Sequence, residues 1–174
     1  MRKLKLDELE RLTVDEFVST EKTPIIVVLD NIRSALNVGS IFRTSDAFAI
    51  EKIIICGISA TPPNREINKT AIGATESVAW EYFESICDAI KKLKDEDFRI
   101  IGVEQTDQSI LLPEFKATNE KMAVIFGNEV DGISDEILGM IDTCIEIPQF
   151  GTKHSLNVSV CAGIVLWELS KVYQ

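Results

Sequence analysis

The chain has 174 residues, of which 45% are hydrophobic, and its mean hydropathy is +0.11. This composition suits a single globular domain and excludes a disordered chain. Lys and Arg total 18 and Asp and Glu total 28, so the formal net charge of −10 argues against broad, charge-driven nucleic-acid binding. The first residues, MRKLKLDELERL, lack the apolar run of a signal peptide, and no stretch approaches the ~18 apolar residues of a membrane helix.

The first predicted elements are helical. Leu4, Leu6, Leu9 and Leu12 recur at the spacing of an amphipathic helix, and TVDE at 13–16 fits the capping box of a second one. We expect residues 1–23 to form a short helical extension in front of the main part of the domain, which would span 24–174.

From residue 24 onward, apolar runs of strand length alternate with helical patterns. Strands are predicted at 24–30, 52–57, 78–83, 99–105, 122–127 and 144–148. Helices are predicted around Asn37, after 61–64, from Ser85 to about Lys94, from Ser134 to Ile141 and from Leu156 to Lys171. Because the strands are apolar throughout rather than alternating, the pattern predicts an α/β fold with a parallel sheet covered by helices on both faces.

The four cysteines are dispersed among apolar neighbours at Cys56, Cys87, Cys144 and Cys161. They form no C-x-x-C pair and only His154 could join them, so we expect no metal site. Buried free thiols are expected instead, and these favour a reducing compartment, the cytoplasm.

Four loops, which begin after Asp30, Gln105, Phe126 and Pro148, follow the carboxyl ends of predicted strands, where ligands bind in sheets of this class. In the loop after Asp30, Asn37 can be a helix N-cap or a site residue, and Arg43 can form a surface salt bridge or contact a ligand. Gly39 in a first helical turn costs stability, which indicates close approach of a ligand or another backbone.

The loop after Phe126 reads G-N-E-x-x-G, and the loop after Pro148 leads into Ser155-Leu-Asn157. Glu129 is either a stabilising acid at a helix start or an anion at a site. Ser155 is either a helix cap or part of a polar pocket, and Lys153 and His154 are either solvated or ligand contacts. The dinucleotide fingerprint and the Walker loop are absent, and no Ser/His/Asp triad is apparent.

Taken together, NVGSIFRTSDAF (37–48), FGNEVDGIS (126–134) and IPQFGTKHSLNVSVCAG (147–163) resemble the motifs of the SpoU (TrmH-like) RNA 2′-O-ribose methyltransferases of the SPOUT superfamily, and KTAIGATESV (69–78) resembles the segment between them. The resemblance implies a trefoil knot near the C-terminus and a pocket for S-adenosylmethionine. By the same resemblance, the residues expected around the cofactor are Glu104, Phe126, Gly127, Asn128, Ile147 and Leu156.

The resemblance also implies a homodimer with shared active sites. The implied catalytic set is Asn37, Arg43, Glu129, Ser155 and Asn157, with Arg43 acting in the partner's pocket. Apolar residues of the first and last core helices, Phe42, Phe48, Ile164 and Trp167, become candidates for the interface. Since a guanidinium stays protonated, we expect Arg43 to grip an RNA phosphate rather than act as a base. The proton would leave through phosphate, Ser155 or water.

Structured RNA is the implied substrate, with tRNA favoured over ribosomal RNA. A basic strip of Arg33, Arg65, Lys69, Lys153 and His154 would provide the RNA contacts on an otherwise acidic body. We expect neither the extra N-terminal RNA-binding domain nor the basic C-terminal extension of larger family members. The alternatives are a non-catalytic RNA-binding or assembly dimer and a SPOUT enzyme that methylates a base.

Overall fold

A parallel β-sheet organises the protein, whose computed structural model describes residues 1–9 and 11–173. The strands of these residues are β1 (Thr23–Asp30), β2 (Ile50–Cys56), β3 (Ala79–Phe83), β4 (Arg99–Val103), β5 (Ile110–Leu111), β6 (Met122–Phe126) and β7 (Thr143–Glu146). They form one sheet in the order β3-β2-β1-β6-β4-β7-β5, and every neighbouring pair is parallel.

Helices cover both faces of this sheet. They are α1 (Val14–Ser19), α2 (Ala35–Ala47), α3 (Arg65–Ala71), α4 (Ala74–Ser77), α5 (Ile86–Asp95), α6 (Asp135–Leu138) and α7 (Val158–Ser170). The helices α2, α3 and α7 share one apolar core with the sheet, and α5 and α6 share the other. The predicted α/β fold is therefore confirmed.

The run PIIVVLD shows why the strands are apolar without alternation. Ile25, Val27 and Leu29 of β1 belong to the core on the α2 and α7 side, whereas Ile26 and Val28 belong to the core on the α5 side. All five are at most 2% exposed. Both faces of the strand are buried, so each position favours an apolar residue.

The N-terminal segment agrees with its prediction only in part. Thr13 and Glu16 form the expected capping box at the start of α1. The predicted amphipathic helix is wrong: a short 3₁₀ turn spans Leu6–Leu9, and Leu4 and Leu12 lie outside it and are exposed. Glu10, within that predicted helix, and Gln174, at the end of the predicted domain, lie outside the described residues.

Other predicted bounds shift by a few residues. The helix predicted over 134–141 is confined to α6, and the last helix begins at Val158 rather than Leu156. The short helix α4 and the two-residue strand β5 were not predicted. The division into a helical extension and a knotted catalytic core remains a prediction.

Gly39 lies where α2 packs closely against α3. A Cβ atom built on Gly39 would lie 2.2 Å from the carbonyl oxygen of Ile67 and 2.2 Å from Oγ1 of Thr70, both in α3. Of the two explanations for this glycine, close approach of another backbone is confirmed. Thr70 also donates a 2.8 Å hydrogen bond to the Leu36 carbonyl, which fixes α3 against the start of α2.

All four cysteines are free, but only Cys56 is fully buried; the other three are partly exposed, unlike the prediction. Burial raises the pKa of Cys56 to about 12, with the Asp30 carboxylate adding to the effect. Among the helices of residues 1–9 and 11–173, none combines the length and apolar character needed to cross a bilayer. Within the same residues, no group of three or more His, Cys, Asp or Glu side chains is arranged to hold a metal ion.

Candidate active site at the carboxyl ends of the strands

A cavity of about 450 Å³ lies at the carboxyl ends of β4, β6 and β7, where the sheet topology predicted a ligand site. Its size is that of a small-molecule site. Its walls are Val103, Glu104, Gln105, Phe126, Gly127, Asn128, Glu129, Val130, Asp131, Gly132, Glu146, Ile147, Gln149, Ser155, Leu156, Asn157, Val158 and Cys161. All six predicted cofactor-binding residues are among them, together with three of the predicted catalytic residues.

The segment 127–134, here called the β6 loop, forms one side of the cavity. Asn128 and Gly132 exchange two backbone hydrogen bonds of 2.8 and 3.0 Å, and Asn128 Oδ1 accepts from the Val130 N–H at 2.8 Å. A Cβ atom on Gly127 would lie 2.2 Å from the backbone of Gly132 and Ile133. Only glycine at 127 lets the loop close on itself this tightly.

Glu104 ties the β6 loop to the end of β4. Its Oε2 accepts a hydrogen bond from the Ile133 N–H at 3.0 Å, and its Oε1 accepts from the Gln105 N–H at 2.9 Å. Gly132, at φ +73°, leaves room for this carboxylate, because a Cβ there would lie 2.3 Å from Glu104 Oε2. Glu104 therefore shapes the cavity wall as well as lining it.

Glu129 links the β6 loop to the start of α2. Its Oε2 accepts from the Arg33 N–H at 2.8 Å, while its Oε1 accepts from the Ser34 N–H at 3.1 Å and from Asn37 Nδ2 at 2.9 Å. Partial burial raises the pKa of Glu129, but the hydrogen bonds from Arg33, Asn37 and Ser34 outweigh it and hold this pKa below its usual value. The group is a stable anion at a helix start rather than a ready proton acceptor.

Asn37 and Asn157 join the two helices at the site. Asn157 Nδ2 donates to Asn37 Oδ1 at 3.1 Å, and Asn157 Oδ1 accepts from the N–H groups of Ser159 and Val160 at 2.9 and 3.3 Å. Asn157 is thus the N-cap of α7. The cap of α2 is Ser34, so the simple N-cap explanation of Asn37 is wrong.

Ser155 and Leu156 precede α7 and line the cavity without capping the helix, so the cap explanation of Ser155 is also wrong. The exposed segment that carries Ser155 is held to the β4 side by Gln105, whose Nε2 donates to the His154 carbonyl at 2.9 Å. Cys161, one turn into α7, reaches the same cavity, and burial followed by the nearby Glu104 raises its thiol pKa to about 11. Its thiol is therefore protonated at neutral pH.

Comparison with known proteins shows to which family this chain belongs. The sequence model of the SpoU rRNA methylase family matches residues 24–167. The chain belongs to the SpoU rRNA methylase family. The match includes the strands and helices that surround the cavity.

Relatives within the SpoU family have different named substrates. The 23S rRNA (guanosine-2′-O-)-methyltransferase RlmB of Neisseria meningitidis is 32% identical over 158 residues, which are 88% of this chain and 61% of that protein. The tRNA (guanosine(18)-2′-O)-methyltransferase of Aquifex aeolicus is 31% identical over 160 residues, 90% of this chain and 73% of that protein. The chain thus spans only about three fifths of the first of these relatives.

Solved SpoU structures share the fold. The Aquifex aeolicus TrmH/SpoU tRNA modifying enzyme superposes with a TM-score of 0.80 at 27% identity, covering 91% of this chain and 80% of that one. The SpoU methyltransferase AviRb of Streptomyces viridochromogenes, solved in complex with AdoMet, superposes with a TM-score of 0.78 at 21% identity, covering 88% and 62% of the two chains. The second likeness is one of fold alone.

The remaining member of the predicted SpoU catalytic set, Arg43, lies away from the cavity. Arg43 is exposed on α2 and, together with Lys69 and Phe48, lines a shallow hollow of about 550 Å³ between α2, α3 and α7. No salt bridge to Arg43 exists among the side chains that the structure describes. It is the sixth residue after Asn37, about 9 Å further along the helix axis and on another face.

The predicted RNA-binding side chains fall into separate groups. Arg33 is exposed just before α2, where its backbone N–H donates to Glu129. Lys153 and His154 lie on the exposed segment before Ser155, and Arg65 and Lys69 are both exposed on α3. Lys69 also forms a 2.6 Å ion pair with Glu66, an exposed pair that contributes little stability.

Sequence reasoning missed several members of the site. Gln105, Asp131, Glu146 and Gln149 line the cavity, and their polar character at or after the ends of strands was the available signal. Phe42, a predicted interface residue, is fully buried in the core, so that prediction is wrong. Phe48, Ile164 and Trp167 do reach the surface or the edge of the core.

Proposed function

We propose that this SpoU protein transfers a methyl group from S-adenosylmethionine to a ribose 2′-hydroxyl of structured RNA, with tRNA as the first substrate. The observation that carries the proposal is the single cavity in which Ser155, Asn157 and Glu129 adjoin all six predicted cofactor-binding residues. Asn37 completes the group through its hydrogen bonds to Glu129 and Asn157.

The chemistry of the cavity fits this cofactor. Apolar walls from Phe126, Ile147 and Leu156 suit a nucleoside, and the volume of about 450 Å³ is sufficient for one. Four carboxylates also line it, those of Glu104, Glu129, Asp131 and Glu146, whereas none of the described lining residues is Lys or Arg. Such a lining favours a ligand that carries positive charge. When bound, S-adenosylmethionine supplies a methyl group on a positively charged sulfur.

The residues around the cavity are suited to orienting the reactants rather than to acting as a strong base towards the 2′-hydroxyl. Glu129 already accepts three hydrogen bonds and its pKa is lowered, so it is a poor general base. Its role is to hold the β6 loop against α2. Ser155, exposed at the cavity, is the hydroxyl best placed to contact the RNA ribose. The proton of the 2′-hydroxyl leaves through an RNA phosphate, water or Ser155, whose hydroxyl can relay a proton by releasing its own.

Arg43 is proposed to act in the cavity of a second copy. Its position in a separate hollow, about two helical turns from Asn37, supports an action across an interface. Alignment of the RNA is its task, because a guanidinium binds phosphate well and keeps its proton.

An apolar face of α7 supports the proposed homodimer. Val160, Ile164 and Trp167 recur at helical spacing and are 53%, 39% and 49% exposed. Trp167 lies 5.8 Å, between ring centroids, from Phe48 at the C-cap of α2, which extends the apolar surface towards the Arg43 hollow. A two-fold interface on this face would bring Arg43 close to the partner chain.

The RNA surface is proposed to lie around the cavity mouth. Phe150, which the sequence analysis passed over, is 97% exposed in the segment that also carries Lys153 and His154. An exposed aromatic ring near a lysine and a histidine is suited to stacking on an unpaired base next to the phosphates. Such local contacts compensate for the net charge of −10.

The cytoplasm is the proposed location of the protein, and the free thiols accord with it.

The function is tested by supplying labelled S-adenosylmethionine with unmodified total tRNA or ribosomal RNA and identifying the product nucleoside by mass spectrometry. A 2′-O-methylated nucleoside from tRNA is expected, and Asn157→Ala serves as the impaired control. Product from ribosomal RNA alone would reassign the substrate, and a methylated base would overturn the proposed chemistry. Absence of product together with absence of calorimetric cofactor binding would favour the non-catalytic RNA-binding dimer.

The shared site is tested by mixing two impaired chains, Arg43→Ala and Asn157→Ala. If Arg43 acts across the interface, random dimers contain one intact site in about four, so activity returns on mixing. If Arg43 acts within its own chain, every site lacks one of the two side chains and no activity returns.

A further inference from the structure

Two carboxylates from different strands hold consecutive backbone groups at the end of the β6 loop. Asp30, the last residue of β1, accepts a hydrogen bond from the Ser134 N–H at 2.7 Å, and Glu104, just after β4, accepts one from the Ile133 N–H at 3.0 Å. The strands β1 and β4 are the two neighbours of β6 in the sheet. The loop that leaves β6 is therefore anchored on both sides of the strand from which it starts.

Asp30 is the more deeply placed of the two. It is 0% exposed, and it also accepts hydrogen bonds from Ser134 Oγ at 3.0 Å and from Asn31 Nδ2 at 2.8 Å. A buried carboxylate is costly unless such donors compensate for lost water. Here two of the three donors come from Ser134, so much of the compensation depends on the β6 loop being in place.

The neighbouring residue holds the other end of the same loop. The Asn31 carbonyl accepts from Asn128 Nδ2 at 2.7 Å, and Asn31 Oδ1 accepts from the Ile58 N–H at 3.1 Å. Asn31 adopts φ +54°, a left-handed conformation that asparagine tolerates better than most residues. Asp30 and Asn31 together thus fix the beginning and the end of the β6 loop to the edge of the sheet.

Asp30 itself does not line the cavity, whereas the loop it holds supplies six consecutive lining residues, 127–132. We propose that Asp30 is a positioning residue: through Ser134 it keeps the β6 loop in its ligand-binding form before ligand arrives. The inference rests on the proposed function for the identity of the ligand, but not for the ordering of the loop. A loop ordered in advance binds more tightly because less conformational freedom is lost on binding.

The test compares variants that lose the hydrogen bonds between Asp30 and Ser134 with a variant that loses a similar buried hydrogen bond outside the β6 loop. Asp30→Asn and Ser134→Ala weaken the anchor, and Ser134→Thr retains the hydroxyl. Ser59→Ala is the matched control: Ser59 is 5% exposed, its Oγ accepts from the Ile32 N–H at 2.7 Å and donates to the Cys56 carbonyl at 2.8 Å. It lies beside the same exit of β1 but contacts the β2 side rather than the β6 loop.

The first measurement is amide hydrogen exchange of residues 128–133 in the ligand-free protein. Asp30→Asn and Ser134→Ala are expected to speed exchange there by roughly ten-fold or more, and Ser134→Thr to keep the wild-type exchange rate. Ser59→Ala is expected to leave the exchange rate of the loop unchanged. The variants are compared under conditions in which their free energies of unfolding are equal. Equal exchange in the Asp30 and Ser59 variants would overturn the inference. Should Asp30→Asn fail to fold, the Ser134 pair decides the question.

The second measurement is the Kd of demethylated cofactor, S-adenosylhomocysteine, by calorimetry. The loop variants are expected to bind roughly ten-fold more weakly than the wild type, and Ser59→Ala to bind like the wild type. An unchanged Kd in a variant with faster loop exchange would overturn the positioning role. If the wild type itself does not bind, the proposed function fails, and hydrogen exchange alone decides whether Asp30 orders the loop.

Discussion

Asn157 at the start of α7 donates a 3.1 Å hydrogen bond to Oδ1 of Asn37 in the first turn of α2, although 120 positions separate them in the chain. Both side-chain amides also form a second contact: Asn157 Oδ1 accepts the hydrogen bond that caps α7, and Asn37 Nδ2 donates to Glu129. Only a side chain that both donates and accepts satisfies this chain of contacts. The two asparagines therefore connect the two helices and the β6 loop as one unit.

Replacing Asn37 by aspartate should place two carboxylates in contact. The new group would face Glu129 Oε1 across the present 2.9 Å hydrogen bond, and it could not donate. We expect Asn37→Asp to lose at least roughly ten-fold in activity and about 1–3 kcal/mol in unfolding free energy at pH 7. The loss in stability should shrink towards pH 5, since protonation of one carboxyl relieves the repulsion.

Urea denaturation between pH 5 and 8 measures this effect. Asn37→Ala is the control, because it removes the hydrogen bond without adding charge and should show no such pH dependence. The same pH profile in the two variants would show that repulsion with Glu129 is not the cause.

The stability contributed by Glu129 should depend on pH in a defined direction. The pKa of this carboxyl is lowered in the folded protein, so its contribution is complete above its ordinary pKa, 4.5, and is lost as pH falls through the lower folded value. The difference in unfolding free energy between wild type and Glu129→Gln should be constant at pH 6–7 and narrow below about pH 4.5.

Denaturation at a series of pH values from 7 to 3 provides the measurement. Glu114→Gln is a suitable control, because Glu114 is exposed and makes no side-chain hydrogen bond among the described residues. A difference that widens for Glu129→Gln as pH falls would contradict the assigned hydrogen bonds.

Replacement by alanine should destabilise the protein at Gly39 but not at Gly139. Gly39→Ala forces a Cβ atom to within 2.2 Å of the Ile67 carbonyl, so α2 and α3 must separate, at a cost of about 1–3 kcal/mol despite the better helix propensity of alanine. Gly139→Ala has no neighbouring atom within 4 Å of the new Cβ and should not destabilise the protein. Thermal unfolding compares them, and equal stability of the two variants would refute the close contact.

Removal of the Phe150 ring should weaken RNA binding without changing its dependence on salt. Phe150→Ala is expected to lower affinity roughly five- to 100-fold through lost stacking, and Phe150→Tyr to retain it. Lys153→Ala should instead reduce the slope of log K against log salt by roughly one, through loss of a phosphate contact.

Titrations with tRNA at several salt concentrations separate the stacking contribution of Phe150 from the phosphate contact of Lys153. Ile58→Ala, which removes a 70% exposed apolar side chain outside the cavity, is the control for general loss of apolar surface. An equal loss of affinity in the Ile58 variant, or a smaller salt slope in Phe150→Ala, would argue against stacking.

Local patterns account for much of the fold. Apolar runs such as 24–30 and 122–127 predicted strands buried on both faces, and Thr13 and Ser85 predicted helix starts through their capping side chains. The predictions failed where local preference was weak: of the leucines predicted to form one face of a helix over residues 4–12, Leu4, Leu9 and Leu12 are exposed. Helix formation there would require packing that periodicity cannot reveal.

By itself, the sequence determined the layered architecture and the edge of the sheet at which a site forms, because these follow from burial and strand direction. The resemblance of its motifs to the SpoU family supplied half of the 18 residues that line the cavity. Only the tertiary structure decided which polar groups meet: Asn37 with Asn157, Glu129 with the start of α2, and Asp30 with Ser134. Each of these contacts joins residues at least 95 positions apart. Their hydrogen bonds depend on how separate strands and helices are brought together, which no local pattern encodes.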